Sequence, residues 1–339
     1  MYNGLKVIDV HGHMSTPMEF SNFSVNLVNI RKIKDAKFQL SDERLETALV
    51  EHLKIIDERD IDLQMISPRP VHMWHWETPP VQEVWCRTTN DIIAQSVKLH
   101  PDRFIGVAQL PQSVELTTEN CVDELDRAIK ELGFVGAIVN PDPGADGQTP
   151  GLDNEDYWYP LYEKAEELGA VLMVHASISR DPRVWNIPQN YQINNVIGQF
   201  LSTMQLEHSR VFEDFPNLKV FVCHMGGALN RFIGNDTTHY FGNNPAVKNN
   251  LWFDTCVHDR EFMKAAFHQK GVDRIMFGTE APGAGTRARR ADDEGAKLAG
   301  RPADDLLPVI DSLETLTPED KLNIFHHNAR KFFPLLKEV

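Results

Sequence analysis

Eight short apolar segments recur along this 339-residue chain, and their spacing limits the folds that it can adopt. Each is rich in β-branched residues, as buried strands are, and the longer segments between them have the apolar periodicity of helices. Eight strands that alternate with helices predict one α/β domain over residues 1–339, a (β/α)8 or TIM barrel. The predicted strands are Leu5–Val10, Leu63–Ser67, Phe104–Leu110, Val135–Asn140, Val171–His175, Lys219–His224, Leu251–Cys256 and Arg274–Gly278.

A doubly wound open sheet is the competing fold, but no G-x-G-x-x-G motif follows the first strand. Two segments are longer than a barrel requires, Thr16–Asp42 after strand one and Ala281–Pro308 after strand eight. Both leave the carboxyl ends of strands, so we expect these insertions on the catalytic face. Thr317 is a candidate N-cap for a last helix that begins at Pro318. Earlier helices are predicted at Leu45–Arg59, Val84–Leu99, Cys121–Leu132 and Pro160–Leu168.

The balance of charge excludes some classes of partner. The chain has 49 acidic and 34 basic residues and a net charge of −15, which disfavours nucleic acid and anionic membranes. It has no long apolar run, and MYNGLK leads directly into a strand-like segment and not into a signal peptide. No CxxC pair is present, so we expect buried free thiols in a cytoplasmic protein at Cys86, Cys121, Cys223 and Cys256.

Five polar residues fall at the predicted carboxyl ends of strands. His11 and His13, in the motif HGH, can reach one point together because residues two apart in a strand share a side, and Gly12 leaves room between them. Imidazoles and a carboxylate suit a divalent transition metal such as zinc or manganese. Each histidine taken singly could equally be a hydrogen-bonded core residue. The other three strand-end residues are His175, His224 and Glu280.

These motifs, together with HMGG after strand six and the acid after FGT, resemble the metal-dependent amidohydrolase superfamily. The segment HNARKFF, His327–Phe333, resembles the branch related to aminocarboxymuconate semialdehyde decarboxylase. The segments DLQMISPRP, LPQS, NPDP and WYPLYEK are similar to two enzyme families of lignin-derived aromatic catabolism. These are the C–C hydrolases of meta-cleavage products and the oxalomesaconate hydratases, and FGTEAPGAGT resembles the hydrolases more closely.

The resemblance implies a role for each strand-end residue. His224 would be the unliganded acid/base that exchanges a proton with metal-bound water. Asn140 stands where binuclear relatives have a carboxylated lysine, which implies a single metal ion. We expect zinc as that ion, with manganese as the alternative, and four ligands for it: His11, His13, His175 and Glu280.

A divalent ion lowers the pKa of its bound water toward ~7, and a histidine with a pKa near ~6.5 can exchange that proton. Three reactions fit: hydrolytic C–C cleavage, hydration of an activated C=C bond, and decarboxylation. We expect C–C hydrolysis of a carboxylated ring-cleavage product, with metal-bound water as the nucleophile, because of the segment FGTEAPG. A carboxy-lyase or hydratase of the same branch is the alternative. A non-catalytic ligand-binding barrel is disfavoured because all five groups are present.

Loops after several strands carry candidate substrate-binding residues. Guanidinium groups suit the carboxylate of a small-molecule substrate, although a rim salt bridge or a solvated surface charge would explain them too. The candidates are Arg69, His72, Arg180, Arg183, His258 and Arg287.

Other polar and aromatic residues have more than one interpretation. Asp254 on strand seven could orient a histidine, whereas His208 in a helical run is interpreted as structural. The segments SISRDPRVWNIPQNYQINN and RARRADDEGAK differ from the two enzyme families, which leaves the substrate open. An aromatic cluster after strand two could stack on a planar substrate or pack at an interface: His72, Trp74, His75 and Trp76. Three aromatic residues near one rim are expected to be exposed and would fit a homodimer contact: Trp74, Trp76 and Trp85.

Overall fold

Strands and helices alternate along the chain in the computed structural model, which describes residues 1–30, 36–188, 190–232, 244–291, 295 and 297–336. The strands are β1 Ile8–His13, β2 Leu63–Ser67, β3 Phe104–Gly106, β4 Gly136–Val139, β5 Val171–Val174, β6 Lys219–Val222, β7 Leu251–Asp254 and β8 Ile275–Met276. The helices are α1 Met18–Ile30, α2 Asp42–Glu58, α3 Pro79–Leu99, α4 Val122–Lys130, α5 Glu155–Leu168, α6 Pro182–Trp185, α7 Asn190–Glu207, α8 Val211–Asp214, α9 Pro245–Asn250, α10 Arg260–Lys270, α11 Leu307–Asp311, α12 Pro318–Leu322 and α13 Asn328–Phe332.

Neighbouring strands pair in parallel and close on themselves. Strands β1 to β3 form one ladder and strands β4 to β8 form another. Backbone hydrogen bonds join the ladders at both seams: Ala108 N donates to Gly136 O at 2.9 Å, and Val10 N donates to Phe277 O at 2.8 Å. The fold is therefore the (β/α)8 barrel that the sequence predicts, and the open doubly wound sheet is excluded.

The apolar side chains of the strands pack in two layers. One layer fills the barrel interior and includes Ile8 and Val10, and the other lies between the barrel and its helices. Phe332 of α13 and the following Phe333 join the interior layer, where Phe332 stacks on Trp252 with ring centroids 4.7 Å apart. This double layer explains why the strands are almost wholly buried and read as continuous apolar runs in the sequence.

Strand β1 contains a bulge that the sequence pattern does not show. The sequence predicts that the strand ends at Val10, but β1 extends to His13. The added residues are buried, and their polar groups form hydrogen bonds with neighbouring strands. Asp9 pairs with Gln64, whereas Gly12 already pairs with Ile66, so β1 has one extra residue between these two pairs. A bulge of this kind reverses the inward and outward alternation of side chains. It turns the last residues of β1 toward the interior side on which Val10 lies.

The predicted helices are confirmed with small shifts of their ends. Thr317 caps α12 as expected, since its side chain accepts a hydrogen bond from Asp320 N. The segment after strand one holds α1, and the part of Ala281–Pro308 that is described contributes to the cavity above the barrel. Residues 31–35, 292–294 and 296 of these segments lie outside the described residues.

The cysteines agree with a further expectation. All four cysteines are buried free thiols, and burial raises the pKa of the Cys121 thiol. Among the described residues, every helix is too short or too polar to cross a membrane.

The carboxylate of Asp9 holds the bulged strand in place. It is fully buried and accepts four hydrogen bonds, from His11 N, Thr279 N, Thr279 Oγ1 and Gln64 Nε2, at 2.6–3.1 Å. Burial raises the pKa of Asp9 to about 7, and the donated hydrogen bonds oppose that rise. Because every partner donates, the site favours an acceptor-only carboxylate that ties β1 to β2 and to the end of β8.

Replacing Asp9 with asparagine should lower the free energy of unfolding by about 2–3 kcal/mol, because the new NH₂ group would face groups that are themselves donors. Urea denaturation followed by circular dichroism measures this change. Asp102→Asn is the matched control, since Asp102 is exposed, and it should leave stability unchanged. Equal midpoints for both variants would contradict the role assigned to Asp9.

Candidate metal centre

Four of the five strand-end residues bring a donor atom to one point above the barrel. The ring nitrogens of His11, His13 and His175 and a carboxylate oxygen of Glu280 all lie within 4.8 Å of one another. The ring centroid of His11 lies 5.2 Å from that of His13 and 5.1 Å from that of His175. The arrangement is the one expected from strands whose carboxyl ends meet at the barrel mouth.

Each of the three imidazoles is oriented through Nδ1. The Nδ1 of His11 lies 2.7 Å from Asp254 Oδ2, so Asp254 occupies the orienting position that strand seven suggests. The Nδ1 of His175 donates to the carbonyl oxygen of Ala176 at 2.7 Å. Both partners accept, so both rings carry their proton on Nδ1 and leave the lone pair of Nε2 free.

Ser67 performs the same task for His13, whose Nδ1 lies 2.8 Å from Ser67 Oγ. The single proton of this hydroxyl is donated to a carbonyl oxygen, that of Gly12 at 3.0 Å. The oxygen of Ser67 must therefore accept from His13 Nδ1–H. Nε2 of His13 is again left unprotonated.

These free nitrogens test whether the residues suit a metal ion. The Nε2 atoms of His11, His13 and His175 are buried and have no hydrogen-bond partner among the described residues. Burial lowers the pKa of His11, and it lowers those of His13 and His175 to about 4, so the three rings are neutral at neutral pH. Three neutral imidazoles with inward lone pairs and one carboxylate fit a divalent transition ion.

Glu280 supplies the negative charge of the cluster. Burial opposes its ionisation, but contacts with His13, His175 and His224 hold its pKa well below the usual range. Its Oε1 lies 3.6 Å from His13 Nε2 and 3.8 Å from His175 Nε2, whereas its Oε2 lies 3.7 Å from His224 Nε2. The carboxylate therefore faces two of the candidate ligands with one oxygen and His224 with the other, while the ring of His224 lies 4.8 Å from that of His175 and 5.1 Å from that of His11.

His224 differs from the other three histidines in backbone and in charge. It lies in the tight turn Cys223–Gly226 with φ at 52°, in the left-handed region, and Met225 follows at 57°. This turn redirects the ring after Cys223, which faces the barrel interior. Burial lowers the pKa of His224, but Glu280 and Asp254 outweigh burial and raise it above the ordinary value. An imidazole with such a pKa can hold a proton near neutral pH.

A cavity of about 820 Å³ opens from this cluster toward α2 and the segment after β8. Arg69 and Arg287 line it, as does Ser177, and within the described part of the chain neither arginine forms an ion pair with a carboxylate. Arg69 is half-buried, and burial lowers its pKa, although Glu280 opposes this. Two guanidinium groups without ion-pair partners in a cavity suit an anionic ligand.

A second cavity of about 450 Å³ lies on the His224 side of Glu280. His258 lines it together with Val196 and Phe262, and burial lowers the pKa of His258. The two cavities share Glu280, Asn195 and Ala284, so they meet at the candidate metal centre.

The remaining predicted substrate residues are not brought into either cavity. His72 lines a small crevice beside Arg69 and Trp85. Arg180 is exposed. Arg183 is also exposed and is paired with Asp181, whose carboxylate it meets through two nitrogens.

The aromatic residues after strand two are placed differently from the expectation of an exposed rim. Trp85 is only 2% exposed and packs between Phe20 and Trp74, so it offers no surface to a partner chain. His75 is buried and lies outside both cavities, while Trp76 is half-buried. His208 is exposed and lines neither cavity.

Sequence reasoning missed three residues of the site: Ser67, Asn195 and Gln199. Ser67 ends a predicted strand, and its place beside HGH in the parallel sheet is the signal that could have found it. Asn195 and Gln199 lie on α7. Only the spacing of polar and apolar residues along that helix would have suggested that these two side chains lie on the same face.

Comparisons with known proteins agree with this geometry. The chain is 32% identical to the 2-keto-4-carboxy-3-hexenedioate hydratase of Sphingobium sp., over 98% of this chain and 97% of that protein. It is 29% identical to the 2-amino-3-carboxymuconate-6-semialdehyde decarboxylase of Dictyostelium discoideum, over 83% of this chain and 75% of that protein.

A solved structure resembles this one over nearly the whole chain. The crystal structure of 4-oxalomesaconate hydratase from Rhodopseudomonas palustris has a TM-score of 0.82 and 31% identity, and the match covers 97% of this chain and 96% of that one. The amidohydrolase family model matches residues 8–335. The chain therefore belongs to the amidohydrolase family and is an enzyme of the branch that contains these hydratases and decarboxylases.

Proposed function

We propose that the enzyme is a metal-dependent hydratase that adds water to an unsaturated, carboxylated keto acid from the breakdown of aromatic compounds. The observation that carries the proposal is the unliganded imidazole of His224 beside a converging set of donor atoms. Hydration of a conjugated double bond needs an activated water and a group that moves one proton. The two hydratases to which the chain is similar over nearly its full length support this reaction.

The ligands of one divalent ion, zinc or manganese, would be His11, His13, His175 and Glu280, whose free Nε2 atoms and carboxylate fit such a group. When bound, the ion supplies a Lewis acid and lowers the pKa of a coordinated water. Asp254 and Ser67 hold the imidazoles in the tautomer that binding requires.

The other residues of the site would bind substrate and move protons. His224 holds and releases a proton at Nε2, the atom that faces Glu280. Arg69 and Arg287 bind the carboxylates of the substrate in the larger cavity. His258 lines the smaller cavity, which accepts the end of the substrate beyond the metal centre.

Decarboxylation is the second candidate, since the chain also resembles the carboxymuconate semialdehyde decarboxylase. The same free acid could protonate the carbon that loses CO₂. Hydrolytic C–C cleavage, which the segment FGTEAPG suggests, receives no support from the relatives described above. The hydratase is preferred because its similarity extends over 97% of the relative, compared with 75% for the decarboxylase.

The purified enzyme should hold one divalent ion per chain, and Glu280→Gln should weaken metal affinity about 10–100-fold because the cluster loses its negative charge. Plasma mass spectrometry after dialysis against a chelator measures the ion. Glu51→Gln is the control, since Glu51 is exposed on the cavity rim and pairs with Lys54. A metal content in Glu280→Gln equal to that of the wild type would exclude this centre.

Incubation with 2-keto-4-carboxy-3-hexenedioate should give a product heavier by one water, detected by mass spectrometry. His224→Asn should lower kcat about 10²–10⁴-fold and retain the metal, because His224 moves the proton without serving as a ligand. His208→Asn, at an exposed histidine, is the control. Release of CO₂ would favour the decarboxylase, and a cleaved carbon chain would favour the hydrolase.

Arg69→Gln should raise KM by about 10-fold or more with a smaller change in kcat, since a bidentate contact to a substrate carboxylate is lost. Steady-state kinetics with the keto acid measures both constants. Arg69→Lys should recover only part of the loss because an ammonium cannot form the paired contact. Unchanged KM values in both variants would place the carboxylate elsewhere.

A further inference from the structure

Helix α7 presents one face to the candidate site. Gln192, Asn195, Val196 and Gln199 follow each other at the spacing that places side chains on one side of a helix. The first three line the smaller cavity. The last, Gln199, contacts His224, so this face reaches the proposed acid/base.

Gln199 makes this contact from a fully buried position. Its carboxamide Nε2 lies 2.8 Å from Nδ1 of His224. Its Oε1 is also buried and has no hydrogen-bond partner within the described part of the chain. The carboxamide of Gln199 thus contacts the imidazole through its nitrogen, while its oxygen has no hydrogen-bond partner among the described residues.

The turn that carries His224 packs directly against the backbone of α7. Gly227 has φ at 83°, and a Cβ added there would overlap the carbonyl oxygen of Val196 and lie 2.7 Å from Phe200 N. This close approach fixes the distance between the helix and the turn. The reach of Gln199 to the imidazole is therefore set by rigid packing and not by a mobile loop.

We propose that Gln199 is a positioning residue: its buried contact with Nδ1 holds the ring of His224 so that Nε2 faces Glu280. The inference rests on the acid/base role of His224 proposed above. A carboxamide suits the task because it offers both a donor and an acceptor. Its Nε2 donates to a bare Nδ1, and a half-turn of the amide lets Oε1 accept from Nδ1–H.

Either orientation of the amide preserves a hydrogen bond to Nδ1 of His224. The ring is therefore held with its Nε2 facing Glu280, whose Oε2 lies 3.7 Å away.

Kinetics on the metal-loaded enzyme tests the role of Gln199. Gln199→Leu should lower kcat about 10–100-fold with KM within about twofold and with full metal content, because Gln199 touches neither ligand nor substrate. Gln199→Glu should recover part of kcat, since its carboxylate accepts from Nδ1–H. Gln39→Leu, at an exposed glutamine that lines neither cavity, is the control and should match the wild type. Wild-type kcat in Gln199→Leu would overturn the proposal.

A spectroscopic measurement tests the role of Gln199 independently of the proposed reaction. In zinc-loaded protein with ¹⁵N-labelled histidine, the ring resonances of His224 are assigned by their loss in His224→Asn. In Gln199→Leu and in Gln199→Asn, whose amide is one methylene too short, these resonances should shift while those of His11, His13 and His175 stay. An unshifted His224, or a shift of all four rings, would overturn the proposal. An absence of hydratase turnover would refute the proposed reaction and leave this measurement decisive for Gln199.

Discussion

The four hydrogen bonds that Asp9 accepts link the fold of this enzyme to its site. They fix the bulge of β1, and that bulge turns His11 and His13 toward the barrel interior. Thr279, which donates two of these bonds, immediately precedes Glu280, whose N–H in turn donates to His11 O at 2.7 Å. The geometry of three candidate ligands thus depends on one buried carboxylate that lies outside the cluster.

Most of the fold could be predicted because buried strands and amphipathic helices leave simple patterns in a sequence. The candidate cluster could be predicted because parallel strands deliver their carboxyl ends to one rim. The local conformation of the backbone could not be predicted. Gly12 illustrates this. The side chain of Gln64 occupies the space that a Cβ at position 12 would fill, so it is Gln64 that requires a glycine here, and not the separation of two histidines. The left-handed φ of His224 and of Glu280, at 61°, is likewise set by packing between distant segments.

Charge is distributed unevenly between the surface and the site. The chain carries a net charge of −15, which would repel an anionic substrate from most of its surface. The larger cavity nevertheless has two arginines without ion-pair partners among the described residues, and its inward histidines are neutral because burial lowers their pKa. The cavity lining also holds the carboxylates of Glu51, Glu58 and Glu280, but its basic side chains outnumber them: Lys54, Arg59, Arg69, Arg287 and Arg289.

Glu280 makes the two sides of the site different. Its two oxygens face different groups, with Oε1 toward His13 and His175 and Oε2 toward His224. The arginines lie in the cavity on one side, and the apolar side chains of Val196 and Phe262 lie in the cavity on the other. If the arginines hold the carboxylates of the substrate as proposed, its reacting carbons would lie where the two cavities meet. His224, which Gln199 contacts, lines the smaller cavity at this junction and would there exchange a proton with the substrate.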